Sequence, residues 1–239
     1  DDPESAWVPA LVGMSWDAPT LECMPTLTTQ RLELRPLLEE DAPAVHSIHS
    51  DPATWRHFPM GQVTEPAQTE EFVALSRGSF RRCGLGQFAV RMQGCPRVLG
   101  TCGAFVLSHE GDAPLRVVTG TSGPAELWAG NALVNIGWRL RPEAWGKGLA
   151  TEAARAVASL VGQCQPELAL TAVALSTNPA SLGVIRHLNL DLVWRGVTGE
   201  ALRVRMLRPP VPGGEECMRL VFADRPLDPG LIALRNRTL

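Results

Sequence analysis

The stretch from Leu133 to Gly162 changes its hydrophobic period halfway. Leu133 to Leu140 reads as a strand that stops before Pro142. Beyond Gly146 and Gly148, the residues Leu149, Ala153, Ala154, Val157, Leu160 and Val161 recur at helical spacing and form one apolar stripe. A strand handed to a helix through a turn with two glycines belongs to a layered α/β architecture. The glycines permit backbone angles barred to other residues and a close approach of main chain to a ligand. The first helical turn adds unpaired N–H groups and the positive end of the helix dipole. Together they suit phosphate oxygens.

Three anion-binding patterns compete for this turn. A P-loop requires G-x-x-x-x-G-K-[ST], but Arg141 stands at its first glycine and Gly148 follows Lys147. A dinucleotide fingerprint requires G-x-G-x-x-G, and Thr151 occupies its third glycine. Gly146-Lys147-Gly148 alone is also compatible with a tight turn that binds nothing, so its context decides.

Upstream, Arg31 to Arg35 alternates polar and apolar residues as a half-buried strand does, and Pro36 ends it. Glu39-Glu40-Asp41 then precede a helix to about Ser50, with acidic residues in its first turn. A second helix is expected from Glu65 to Arg82, with Phe72, Leu75 and Phe80 inward. Gln87 to Met92 and Val98 to Leu107 read as a hairpin through Gly94-Cys95-Pro96. Residues 109–130 read as a long loop. The apolar run Leu168 to Leu175 suits a central strand covered on both faces. A short helix over 179–188 follows, then strands at Leu192 to Trp194 and Cys217 to Phe222. Leu202, Val204 and Met206 alternate with Arg203 and Arg205, which hints at an extra strand before Pro209-Pro210.

The fold class is therefore α/β in the α+β sense: one mixed, mostly antiparallel sheet of roughly six to seven strands with about four helices. Residues 1–27 are expected as an N-terminal extension, with Trp7 and Trp16 as anchors, residues 28–224 as the domain, and 225–239 as a C-terminal tail.

Composition excludes more than it selects. Net charge is −3, which argues against nucleic acid or an anionic membrane as partner. No apolar run approaches the ~20 residues of a membrane span. The acidic start lacks the basic and apolar regions of a signal peptide. The six cysteines show no C-x-x-C spacing, and no metal site is expected. Reduced cysteines and a cytoplasmic location are the expectation.

The stretch Ile136-Gly137-Trp138-Arg139-Leu140-Arg141-Pro142-Glu143-Ala144-Trp145-Gly146-Lys147-Gly148-Leu149-Ala150-Thr151-Glu152-Ala153 resembles motif A of the GNAT N-acetyltransferase superfamily, in the branch of the ribosomal-protein N-terminal acetyltransferases. Thr29 to Leu37 resembles the first strand of that branch. Thr177-Asn178-Pro179-Ala180-Ser181 through His187-Leu188-Asn189-Leu190 resembles its motif B. Three matches in order cover about residues 26–223.

The resemblance implies acetyl-CoA as cosubstrate and transfer of its acetyl group directly to a primary amine, on a small molecule or a peptide N-terminus. Trp138, Arg139 and Leu140 would offer main chain to the pantetheine arm. Trp145, Gly146, Lys147, Gly148, Leu149, Ala150 and Thr151 would surround the pyrophosphate. Asn178 would hydrogen-bond the cofactor and Ser181 would lie near the sulfur. A homodimer is compatible with this family.

The catalytic set departs from the family. The acid is often a Tyr there, and this chain has none. Ser181 is the substitute, with stabilisation of the 179–188 helix start as its other role. Asn135 stands where relatives often carry Glu, and an amide cannot take a proton. Glu126, His109 and Glu110 are alternative bases. Glu152 fits the first-turn dipole. Lys147 and Arg186 could neutralise phosphates. Trp145 replaces a Gln or Arg, and Asn189-Leu190 replaces Gly-Phe, which predicts a different turn. Trp55, Phe58 and Trp128 could line an acceptor pocket, and a longer acyl donor stays open. The other function class kept open is a GNAT-fold acyl-CoA-binding module with weak turnover, serving as a sensor or interaction domain.

Overall fold

The computed structural model describes residues 25–109, 111, 115–119, 131–197, 200–207 and 216–237. Trp7, Trp16, Cys23, Glu110, Glu126 and Trp128 lie outside the described residues.

In chain order the strands are β1 (Leu27–Thr28), β2 (Leu32–Pro36), β3 (Gln87–Met92), β4 (Gly100–Ser108), β5 (Arg116–Val117), β6 (Ala132–Leu140), β7 (Leu170–Leu175), β8 (Asp191–Gly196) and β9 (Arg219–Ala223). The helices are α1 (Ala42–His49), α2 (Pro66–Cys83), α3 (Leu149–Cys164), α4 (Pro179–Ile185), α5 (Glu200–Leu207) and α6 (Pro229–Arg237). The sheet runs β1-β2-β3-β4-β6-β7-β9-β8, with β5 paired to β4. Every pairing is antiparallel except β6 with β7.

Among the described residues the sheet has nine strands and is accompanied by six helices, more than the sequence pattern predicts. The surplus strands β1 and β5 are two residues long, too short to carry a period.

Strand alternation divides the core. Phe88, Val90, Cys102, Ala104, Val134 and Ile136 pack with the stripe Leu149, Ala153, Ala154, Val157, Leu160 and Val161 of α3. These are the positions the helical spacing marks. The opposite face holds Ala89 with Leu37, Val45, Ile48 and Val73, so α1 and the first half of α2 cover it. Each fully buried aliphatic side chain contributes about 1.5–3 kcal/mol, and α3 is held to the sheet by six of them or their alanine equivalents.

Two expectations are corrected. The alternating stretch around Leu202 is the helix α5, whose Ala201 and Val204 pack with Leu175, Cys217 and Phe58. Three apolar residues at spacing two fit a short helix as well as a strand, and contact with β7 decides. The segment from residue 225 is no free tail. Its helix α6 buries Leu231 and Leu234 against Leu115 and Leu133 of β6.

Candidate active site

β6 pairs with β4 along its whole length, from Gly100↔Leu140 to Ser108↔Ala132. With β7 it pairs only at Val134↔Leu170 and Asn135↔Thr171, and the two parallel strands then part. The Val134 N–H donates to Ala169 on the β7 side, and the Arg141 N–H donates to Leu99 on the β4 side. Because main-chain groups alternate along a strand, Ile136, Trp138 and Leu140 aim theirs into the gap. That gap opens towards the glycine turn.

The turn has the conformation its glycines allow. Gly146 and Gly148 have φ of 71° and 73°, in the left-handed region that favours glycine. Gly148 immediately precedes α3, and nothing lies within 4 Å of a Cβ built on Gly146, so ligand can approach its backbone. The helix contributes its N-terminal amides at this end.

A residue from the β1–β2 connection fixes the turn. Arg31 donates from a guanidinium N–H to the Lys147 carbonyl at 2.9 Å, and from Nε to Glu152 Oε2 at 2.7 Å. Glu152 also accepts from the Arg31 main-chain N–H at 2.8 Å and from Thr29 Oγ1 at 2.5 Å. Partial burial disfavours the Glu152 anion, but the bonds from Thr29 and Arg31 and the Arg31 charge outweigh it and hold this carboxyl below its usual range. Glu152 is therefore more than a dipole partner. Thr29 and Arg31 carry no ligand signal in sequence, because they lie over 115 residues from what they hold.

A cavity of about 590 Å³ occupies the gap. Its walls include Trp138, Arg139, Leu140, Trp145, Gly146, Gly148, Leu149, Ala150, Thr151, Asn178 and Ser181. All the residues expected at the cofactor are among the lining except Lys147, which is exposed and whose carbonyl accepts from Arg31. Trp145 Nε1 donates to the Leu140 carbonyl at 2.7 Å, which ties the turn to the end of β6. Thr54, Arg56 and His57, from the connection between α1 and α2, close the far wall, and His187 stands at the end of α4. Sequence reading expects acceptor-side walls from residues 50–82 and 109–130 without singling out Thr54, Arg56 or His57, and gives His187 only as part of the motif B match; their places in the cavity follow from tertiary packing.

Asn178 caps α4 by accepting from the Ser181 N–H at 3.1 Å. The cap is thus Asn178, not the Ser181 hydroxyl, which lines the cavity without a partner among the described residues. Asn189 has φ of 53°. Asn is among the residues that tolerate this conformation, so a left-handed turn fit for glycine persists there, contrary to the expectation of a different one.

Asn135 stands apart from the cavity walls. Its Oδ1 accepts from Arg235 of α6 at 2.9 Å, at the point where β6 and β7 begin to part. His109 is exposed and its Nδ1 contacts the Gly111 carbonyl. Arg139 turns its guanidinium onto the Trp55 ring, 3.3 Å from the centroid, and donates to the Thr54 carbonyl. Phe58 packs in the core beside α5.

No described cysteine lines the cavity. Burial pushes the Cys83 thiol up to about 12 and Cys164 to about 11, and raises Cys102 further. A thiolate nucleophile is not at hand. Among the described residues, no three His, Cys, Asp or Glu side chains converge as metal ligands would, and no helix is long and apolar enough to cross a membrane.

Known proteins match this architecture. An uncharacterized N-acetyltransferase p20 of Bacillus licheniformis is 25% identical over 166 residues, 70% of this chain and 80% of that protein. A GNAT-family acetyltransferase from Bacillus anthracis superposes with a TM-score of 0.55 at 20% identity, over 83% of this chain and 97% of its own. RimL, a ribosomal L7/L12 alpha-N-protein acetyltransferase solved with coenzyme A, gives a TM-score of 0.57 at 18% identity, over 86% and 98%. Nothing in these relatives supports a module that only binds. The acetyltransferase (GNAT) domain model matches residues 31–191, which span both the Arg31 clamp and the whole glycine turn. With strand gap, turn and family model in agreement, the chain belongs to the GNAT acetyltransferases and is an acyltransferase that uses acetyl-CoA as donor.

Proposed function

We propose that this enzyme acetylates a primary amine, on a small molecule or a peptide N-terminus, by direct attack on the thioester. The parting of β6 from β7 beside the glycine turn carries the proposal. It leaves strand amides in a groove that leads straight to a phosphate cradle. The α-N-protein acetyltransferase among the structural neighbours supports a peptide amine as acceptor.

In this scheme the Trp138 and Leu140 main chain aligns the pantetheine arm, and an N–H of β6 facing the gap donates to the carbonyl oxygen as charge develops. The amides from Gly146 to Thr151 hold the pyrophosphate. The amine nitrogen bonds to the acyl carbon, the carbon–sulfur bond breaks, and the Ser181 hydroxyl passes a proton to the sulfur directly or through water. Asn135, whose carbonyl oxygen is engaged by Arg235, has an amide N–H left to offer and no basic atom. The amine proton therefore leaves through water.

The test is release of free thiol from acetyl-CoA in the presence of a panel of amines and of peptides with free N-termini. Amine-dependent release that N-acetylated peptides fail to support is expected. Tight acetyl-CoA binding with no amine consumed would overturn the proposal. Ser181→Ala should lower kcat on the order of 10²-fold and leave acetyl-CoA affinity unchanged by calorimetry.

A further inference from the structure

The cavity walls carry positive charge without a carboxylate. Its lining includes the guanidinium groups of Arg56 and Arg139, with no Asp or Glu among the described lining residues. Arg139 is committed to the Trp55 ring and the Thr54 carbonyl. Arg56 makes other contacts. It lies on the connection between α1 and α2, and its guanidinium carbon sits 5.0 Å from the centre of the Trp145 ring. Its Nε donates to His57 Nε2 at 3.0 Å. The guanidinium thus rests on the residue that begins the glycine turn, in the same cavity that Gly146, Gly148 and Thr151 line.

The support of this arm is firm. Asp51 accepts from the Ala53 N–H at 2.9 Å and starts the 3₁₀ turn Pro52–Trp55. Trp55 Nε1 donates to the His49 carbonyl, and Arg139 holds Thr54 and Trp55 to β6. A planar fork of donors on an aromatic platform suits a phosphate diester oxygen pair. The aromatic ring limits the side-chain freedom that binding would otherwise remove.

We infer that Arg56, stacked on Trp145, grips the coenzyme A pyrophosphate beside the glycine-turn amides. The pyrophosphate is then held by the N–H groups of the turn together with a guanidinium delivered by the α1–α2 connection. The inference rests on coenzyme A as ligand.

Calorimetric titration of the intact protein with coenzyme A, 3′-dephospho-coenzyme A and pantetheine tests it, on the wild type, Arg56→Gln and Arg56→Lys. Arg56→Gln should weaken coenzyme A and dephospho-coenzyme A equally, by about tenfold, and leave pantetheine unaffected. Arg56→Lys should recover part of the loss, and the salt dependence of coenzyme A binding should flatten in the Gln variant. Unchanged coenzyme A binding in Arg56→Gln overturns the inference. So does a loss confined to coenzyme A, which would place Arg56 at the 3′-phosphate, or an equal loss for pantetheine, which would make Arg56 a scaffold of the loop. A wild type that binds none of the three ligands would instead overturn the cofactor assignment. Melting curves of each variant establish that it folds, and Arg56 is exposed, so its replacement leaves the core intact.

Discussion

Single residues decide whether the turn is preformed. Gly148 has φ of 73°, and a Cβ there would meet Arg31 at 3.5 Å. Gly148→Ala should cost about 1–2 kcal/mol from the left-handed backbone alone, read as a lower Tm, and coenzyme A affinity should fall with it. Glu152 adds a pH dependence. Its carboxyl is held below the ordinary 4.5, so its bonds contribute fully above the unfolded value and are lost as pH falls through the lower folded value. Glu152→Gln should therefore flatten the acid limb of coenzyme A binding below about pH 4.5. His49 acts at a higher pH. Burial first, then the Arg139 and His46 charges, lower it from 6.5 to about 3. The unfolded chain takes up this proton first, so stability declines as pH drops from 6.5 towards 3. His49→Gln should reduce the slope of Tm against pH in that window, measured by scanning calorimetry.

At the scale of elements, the sequence was most legible where a period ran long. The α3 stripe and the strand before it were readable residue by residue, because burial on one face writes itself into spacing. The two-residue strands and α5 were not, since short segments carry too few apolar positions to separate period 2 from 3.6. Of the site, the glycine turn, Asn178 and Ser181 were visible as local motifs. Arg31, Arg56 and His187 were not, because their function is set by contacts across the sheet. Asn178 gives the element-scale prediction. Removing its cap from α4 by Asn178→Ala should cost about 1 kcal/mol and displace Ser181, so kcat should fall further than stability explains; the matched Ser181→Ala control separates the two losses.

For the whole molecule, α6 returns the end of the described chain to β6. Leu234 packs on Leu133, and Arg235 meets Asn135 where the strands part. Leu234→Ala should destabilise the protein by about 2 kcal/mol, visible in denaturant midpoints, and loosen Asn135 in the same step. The turn and the cavity are thus shaped by distant parts of the sequence, the β1–β2 connection with its clamp and the α1–α2 connection, while α6 braces β6 at Asn135 outside the cavity.

The Arg31 clamp makes ligand binding report on chain completeness. A fragment beginning after β5 would still hold both glycines, α3, Asn178 and Ser181, yet its glycine turn would lack the β1–β2 residues that brace it. Such a fragment should capture coenzyme A only when a second polypeptide supplying residues 25–109 is mixed in. The glycine turn is thus completed by two halves meeting, because the partners of Lys147 and Glu152 come from the β1–β2 connection.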